Sequence, residues 1–204
     1  MENIRNDLYL PTQIVSGDIE NFSAQSYKFV NWIYNYRKNF PEGDQKSNNR
    51  GWQSKSKDLH QDESFGPWVD LIKQELRDLI PYYHISSDIV ITEMWANINP
   101  KNSYNLTHIH PGSNLAGVLW VKIPPKSGNF YFCLPEFYFD PTLISVTEPE
   151  YRKEIGLHPG IIEHPVEGRM MIFPANLPHR VDLNESDEDR ISISFNLNIQ
   201  PWDR

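Results

Sequence analysis

The chain has 204 residues and a formal net charge of −8, with 39% of its residues hydrophobic and 23% charged, the make-up of an ordinary globule with one substantial core. That charge offers no footprint for nucleic-acid phosphates or anionic lipid, and no apolar run approaches the roughly 18 residues a membrane span needs. The start of the chain lacks the apolar segment of a secretory leader, and the single cysteine, Cys133, excludes an intrachain disulfide and suits a reducing compartment. We therefore expect a cytoplasmic, soluble protein forming one domain over 1–204, with a helical N-terminal part (1–85) packed on a β core (86–204) and no nucleic-acid or membrane partner. Cys133, between Phe132 and Leu134, reads as a packed strand residue rather than a nucleophile.

In chain order, Leu8 to Val15 reads as an entry strand, placed on a sheet edge because Pro11 cannot donate a ladder hydrogen bond. From Ile19 to Phe40, Phe22, Phe29, Val30, Ile33 and Tyr36 recur at helical spacing, and Pro41-Glu42-Gly43 ends the helix. Residues 41–63 are polar and read as an irregular loop holding one large aromatic, Trp52. That indole is either a loop anchor tucked into the core or a wall of a binding pocket. A second helix is predicted from Pro67 to Ile80, with Trp68, Leu71, Ile72, Leu76 and Leu79 on its buried face, Ser64 as a cap and Pro81 as the stop.

After Ile85 the period changes from 3.6 to two. Strands are predicted over 88–98, 104–110, 114–123, 128–134, 160–164, 168–174, 178–183 and 189–199, with a longer Pro- and Tyr-containing insertion over 135–159. Eight short strands separated by turns point to a sandwich, barrel or jelly roll, its outer face covered by the two helices. The fold class expected is mainly β with flanking N-terminal helices.

Two features carry chemistry. On a strand, His108 and His110 project from the same face, about 6.5 to 7 Å apart at Cα, and Pro111-Gly112 leaves them at a strand mouth. His179 stands at the head of a distant strand that an antiparallel jelly roll can bring alongside. Three neutral nitrogens on one face leave opposite coordination positions free, an arrangement suited to iron and oxygen. Farther on, Arg190 and Ser192 share a strand face with Ser194, while Ile191, Ile193 and Phe195 take the other. If Arg190 is turned inward, no acid on its strand face can pair with it, and an incoming carboxylate fits its planar fork. The alternative is an exposed Arg190 bridged to Asp187 or Glu188. Asn97, Asn105, Trp120 and Tyr131 lie on strands close to these residues and are further candidate contacts.

His108-Ile109-His110, His179 and Arg190-Ile191-Ser192 resemble the motifs of the 2-oxoglutarate/Fe(II)-dependent dioxygenases. The pieces Tyr9-Leu10-Pro11-Thr12, Gly51-Trp52-Gln53-Ser54, His108-Ile109-His110-Pro111-Gly112-Ser113 and Arg190-Ile191-Ser192-Ile193-Ser194-Phe195-Asn196 are most similar to an uncharacterised oxygenase group of bacteria and phages. The resemblance covers nearly the whole chain and implies a double-stranded β-helix, a jelly roll of the cupin type. It implies that His108, His110 and His179 hold Fe(II) as catalytic metal ligands, and that Arg190 clamps the distal carboxylate of the cosubstrate 2-oxoglutarate beside Ser192. Asn97, Asn105 and Tyr131 would line the cosubstrate, with Trp52 and Trp120 on the substrate side. The implied reaction is hydroxylation of a small molecule or peptide with release of succinate and CO2. One position departs from the pattern, since His110 stands where the superfamily places Asp or Glu. Fe(II) with three neutral imidazoles keeps its full +2, which doubly anionic 2-oxoglutarate would neutralise. Glu93 and Asp182 are not at the expected spacing to replace the carboxylate.

The same positions are also similar to cupin motifs, with Gly168, Pro174 and His179 as the second, although Asn176 stands where cupins prefer Gly and Asn114 where they prefer Glu. That resemblance implies a three-histidine dioxygenase or isomerase working without 2-oxoglutarate. A metal-free jelly-roll binding module is the remaining alternative. The oligomeric state stays open, a homodimer among the options.

Overall fold

Alternation of apolar and polar residues along the C-terminal half builds two facing sheets, and the large one has helices on its outer side. The structure is a computed structural model and describes residues 12–55, 57–133, 141–154 and 161–200. The strands are β1 (Val15–Asp18), β2 (Asn48–Asn49), β3 (Trp52–Gln53), β4 (Ile89–Asn99), β5 (Tyr104–His108), β6 (Leu115–Lys122), β7 (Phe130–Phe132), β8 (Ile161–Glu163), β9 (Arg169–Pro174), β10 (His179–Val181) and β11 (Arg190–Ile199). The helices are α1 (Ser23–Asn39), α2 (Gly66–Leu79), α3 (Pro141–Val146) and α4 (Pro149–Glu154). The larger sheet has the order β1-β9-β6-β11-β4-β3 and the smaller one β2-β5-β10-β7-β8. All named pairings are antiparallel.

Period two gives the large sheet two distinct faces. Met94, Ala96 and Ile98 of β4 and Ile191, Ile193, Phe195 and Leu197 of β11 join the helix residues Phe29, Ile33, Ile72 and Leu76 in one buried cluster. A second cluster, between the sheets, combines Ala116, Val118 and Trp120 of β6 with Phe130, Phe132, Met171 and Phe173. α1 buries Phe29 and Ile33, and the Trp68 ring at the start of α2 stacks on Phe29 at 3.6 Å between centroids. These burials, not intrinsic propensity, hold helices of this length in place.

All eight strands expected after Ile85 form, each within a few residues of its predicted ends. Three details differ. The entry strand begins at Val15 and occupies the sheet edge, while Leu8 to Pro11 lie outside the described residues. The loop over 41–63 contains the two-residue strands β2 and β3, each closing one edge of a sheet. Ser64 does not cap α2: its backbone N–H and hydroxyl both donate to the Asp62 carboxylate, which caps the short 3-10 turn ahead of the helix. Of the insertion over 135–159, the described residues form α3 and α4. Among the described residues, no helix is long and apolar enough to cross a membrane.

Candidate active site

β5 and β10 pair so that His108 and His179 stand directly opposite, and the chain just beyond β5 adds His110. The His110 backbone is held to β9's end by its N–H donating to Ala175 O at 2.8 Å. Ring nitrogens of His108, His110 and His179 all lie within 4.8 Å of one another, and this is the metal-capable group of histidine, cysteine or carboxylate side chains among the described residues. Main-chain carbonyls fix two of the tautomers. His108 Nδ1–H donates to Leu106 O at 2.7 Å and His179 Nδ1–H to Leu177 O at 2.8 Å, so both Nε2 lone pairs are free to bind an ion.

The Nε2 atoms of His110 and His179 are 3.1 Å apart. Two nitrogen lone pairs at that separation need a proton or a cation between them, and bonds of about 2.1 Å meeting near a right angle put two imidazole nitrogens about 3 Å apart. Burial keeps all three rings neutral at physiological pH. It lowers the His108 pKa; burial first, then the neighbouring His108, carries His110 down to about 4 and His179 to about 3. Neutral imidazole is the ligand form. The donor set therefore fits a borderline transition-metal ion such as Fe(II).

The cavity these rings face has a volume of about 270 Å³ and runs to Arg190. Arg190 opens β11 with its side chain turned between the sheets, 2% exposed. Its Nη1 donates to Ser127 O at 2.6 Å, whereas Nη2 is buried without a partner. Burial depresses its pKa to about 10, the sign of a cation short of compensating charge. The exposed alternative fails because Asp187 pairs with Lys101 and Glu188 with Lys122.

Ser192 and Asn97 stand in register across β11 and β4, both on the cavity. Asn97 Nδ2 donates to Ser194 Oγ at 3.0 Å and its Oδ1 is unpartnered. Asn105 lies on the cavity as well and donates to Ser47 Oγ at 3.2 Å, which places that hydroxyl 3.5 Å from His108 Nε2. Trp120 is a cavity wall in register with Ser192, which puts it at the Arg190 end.

Two expected contacts point elsewhere. Trp52 is 5% exposed, packs in the helix-side cluster and donates its indole N–H to Phe40 O at 2.9 Å. It is the loop anchor, and its neighbour Gln53 lines the cavity instead. Tyr131 lies between Phe130 and Phe132, whose rings fill the space between the sheets, so alternation turns Tyr131 outward. There the Arg180 guanidinium sits 4.4 Å from its ring centroid. Neither side chain reaches the site.

The opposite end of the cavity holds Lys57, Glu93, Trp95 and Asn196, which the motif spacing did not single out. Glu93 and Asn196 are 103 residues apart and meet through the β4/β11 register. Inward-facing polar residues on the two strands next to a proposed ligand set were the available signal. A wider hollow of about 720 Å³, lined by Tyr104, Lys126, Arg180 and Asp182 among others, includes none of the three histidines and not Arg190.

Within a two-sheet jelly roll, three converging histidines and a buried arginine with an unpartnered Nη2 share one cavity, the layout of a double-stranded β-helix with a metal-capable centre. A family model described as "Putative 2OG-Fe(II) oxygenase" matches residues 93–196, just over half of the chain, including His108, His110, His179, Arg190 and Ser192. The chain belongs to this family: it is an oxygenase dependent on 2-oxoglutarate and Fe(II).

No curated protein matches the chain. Among solved structures, SnoK, a non-heme alpha ketoglutarate dependent carbocyclase from nogalamycin biosynthesis, is similar at TM-score 0.64 and 10% identity over 98% of this chain and 85% of its own. HygX from Streptomyces hygroscopicus, solved with nickel, 2-oxoglutarate and hygromycin B bound, is similar at 0.58 and 11% over 92% and 83%. A Pseudomonas putida prolyl-4-hydroxylase is similar at 0.57 and 13% over 91% and 93%. At such identities the likeness is one of fold.

Proposed function

We propose that His108, His110 and His179 hold Fe(II) through Nε2, and that Arg190, with Ser192 beside it, receives the distal carboxylate of 2-oxoglutarate. The reaction is hydroxylation of a small molecule or peptide. Bound iron and 2-oxoglutarate supply its oxidising chemistry, in which dioxygen gives one oxygen atom to succinate, with loss of CO2, and the other to a C–H bond of the substrate.

The chain's own residues prepare the site in three ways. The carbonyls of Leu106 and Leu177 hold His108 and His179 in the tautomer that presents Nε2. Ser127 O orients the Arg190 fork and leaves Nη2 available to an anion. Trp120, Phe130 and Phe173 wall the cavity between the two ends, excluding water and strengthening the attraction of a carboxylate to the guanidinium. Asn97 and Asn105 add amide groups along the same wall.

The observation that carries this reading is the unpartnered Nη2 of a buried arginine in the cavity that three neutral histidines face. A three-histidine site that dispenses with 2-oxoglutarate, or a binding module without metal, gives that Nη2 no partner, and Asp182, whose charge also bears on the guanidinium, is already paired with Arg180. Anaerobic addition of Fe(II) and 2-oxoglutarate is expected to give a visible charge-transfer band. Arg190→Ala should weaken 2-oxoglutarate binding, measured by titration of that band, by at least tenfold with iron affinity little changed. A variant that binds 2-oxoglutarate as tightly as wild type would remove the clamp, and iron binding without any band would restore the cupin reading.

A further inference from the structure

The three histidines differ in what stands behind them. His108 and His179 each lean on a main-chain carbonyl. Among the described residues no main-chain carbonyl accepts from the ring of His110, which shares the cavity with a buried side chain, Asn196. Asn196 is 2% exposed, and its orientation is set by Glu93. Nδ2 donates to Glu93 Oε2, since an amide oxygen facing a carboxylate would repel it. Oδ1 is thereby turned away from Glu93, is buried, and has no partner.

Glu93 is in turn held by Lys57, whose Nζ is 3.2 Å from Oε2. The same ammonium lies 4.9 Å from the Trp95 ring centroid, and Trp95 stacks on His110 at 5.7 Å with 26° between planes. One acidic side chain, Glu93, lines this cavity. Its placement is fixed by β4 and β11, which put Asn196 and Glu93 directly across from each other.

We infer that Asn196 and Glu93 are positioning residues for the metal: the carboxylate missing from the first coordination sphere stands one side chain farther out. With Nε2 on the metal, the Nδ1–H of His110 turns to the idle Asn196 Oδ1, and the charge of Glu93 polarises the amide so that His110 Nε2 becomes a stronger donor. This rests on His110 being a ligand. It accounts for an otherwise idle buried acceptor, and it gives His110 the partner on its second nitrogen that metal-binding histidines require. It also explains how a neutral third ligand serves where an anionic one is usual, because an outer carboxylate returns part of the lost negative charge.

The test compares wild type with Glu93→Gln, Asn196→Ala, Glu93→Asp and His110→Ala. The readouts are anaerobic Fe(II) titration, the ligand-field bands of the Co(II)-loaded protein, and the thermal midpoint of the metal-free protein. Glu93→Gln is isosteric and keeps an oxygen for the Asn196 amide, so it removes charge and leaves packing intact. Glu93→Gln and Asn196→Ala should each lower Fe(II) affinity by about 10-fold or more and shift the Co(II) bands, with Glu93→Asp recovering part of the loss. A merely structural role would lower the thermal midpoint and leave metal affinity alone. Loss of metal in His110→Ala, with Glu93→Gln unchanged in affinity and spectrum, overturns the outer-carboxylate inference and leaves the ligand set standing. Unchanged metal affinity in His110→Ala overturns both. If Asn196→Ala does not fold, Glu93→Gln decides the question.

Discussion

The two faces of strands β4 and β11 are built from the same backbone and do opposite work. Toward the helices stand Met94, Ala96, Ile98, Ile191, Ile193, Phe195 and Leu197, all fully buried. Toward the cavity stand Glu93, Asn97, Arg190, Ser192, Ser194 and Asn196. The first face gains from leaving water, at roughly 1.5–3 kcal/mol for each large side chain. The second contains buried atoms without partners, among them Arg190 Nη2, Asn97 Oδ1 and Asn196 Oδ1, and each such atom costs about 1–3 kcal/mol. The fold is thus carried on one face, and the other presents unpaired polar atoms to the cavity. Changes to the first face should therefore register as stability, and changes to the second as binding.

The largest expected effect is on the apolar side. Phe195→Ala deletes a fully buried ring at the centre of β11 and should cost about 3–5 kcal/mol, read as a lower denaturation midpoint in urea at unchanged slope. A loss under about 1 kcal/mol would mean that this face does not carry the fold.

Acid sharpens the comparison next, because the cavity face should fail first as pH falls. Burial holds His110 and His179 with pKa values of about 4 and 3, below the roughly 6.5 of an unfolded histidine. Between these values the unfolded chain binds more protons than the native one, so stability falls as pH drops from about 6.5 toward 4 and rises again with pH. Metal-free protein should show this slope in urea titrations run at successive pH values, and His179→Phe should flatten it. An unchanged slope in that variant would place the acid sensitivity elsewhere.

A smaller effect returns to the helix side. A Cβ added at Gly117 would run into the Phe195 ring, and this strand is buried on both sides, so Gly117→Ala should cost about 1–3 kcal/mol. Metal affinity should stay within a few-fold of wild type. A large metal defect at preserved stability would break the division between faces.

The same division governs what could be read from the sequence. Strict alternation in Arg190-Ile191-Ser192-Ile193-Ser194-Phe195 marks both faces of β11 by itself, and the histidine and arginine spacing follows from it. Phe130-Tyr131-Phe132 is aromatic throughout, so period alone does not say which rings point inward, and the sequence does not exclude Tyr131 from the site. β2 and β3 have two residues each, too few for any period, which left Trp52 without a direction. Glu93 and Asn196 meet across a register that contains a shift between Asn196 and Leu197, and no local signal encodes such a pairing. Period fixes faces within a strand; partners across strands come from the assembled sheet.

Arg190→Met is expected to have the smallest effect on stability and the most informative pattern. Removing the guanidinium leaves Ser127 O without its donor, a loss, and takes a poorly compensated cation out of a buried position, a gain. Replacement of buried charge by an apolar side chain of similar length is often neutral or stabilising, so the unfolding free energy should stay within about 1 kcal/mol of wild type. 2-Oxoglutarate binding should nevertheless fall by at least tenfold, and the rise in wild-type thermal midpoint on adding 2-oxoglutarate with Fe(II) should largely disappear. A variant that loses several kcal/mol would show that Arg190 holds the two sheets together through Nη1, which donates to Ser127 O and, at 3.4 Å, to Asp182 O. The cavity face would then share the structural load now assigned to the helix side.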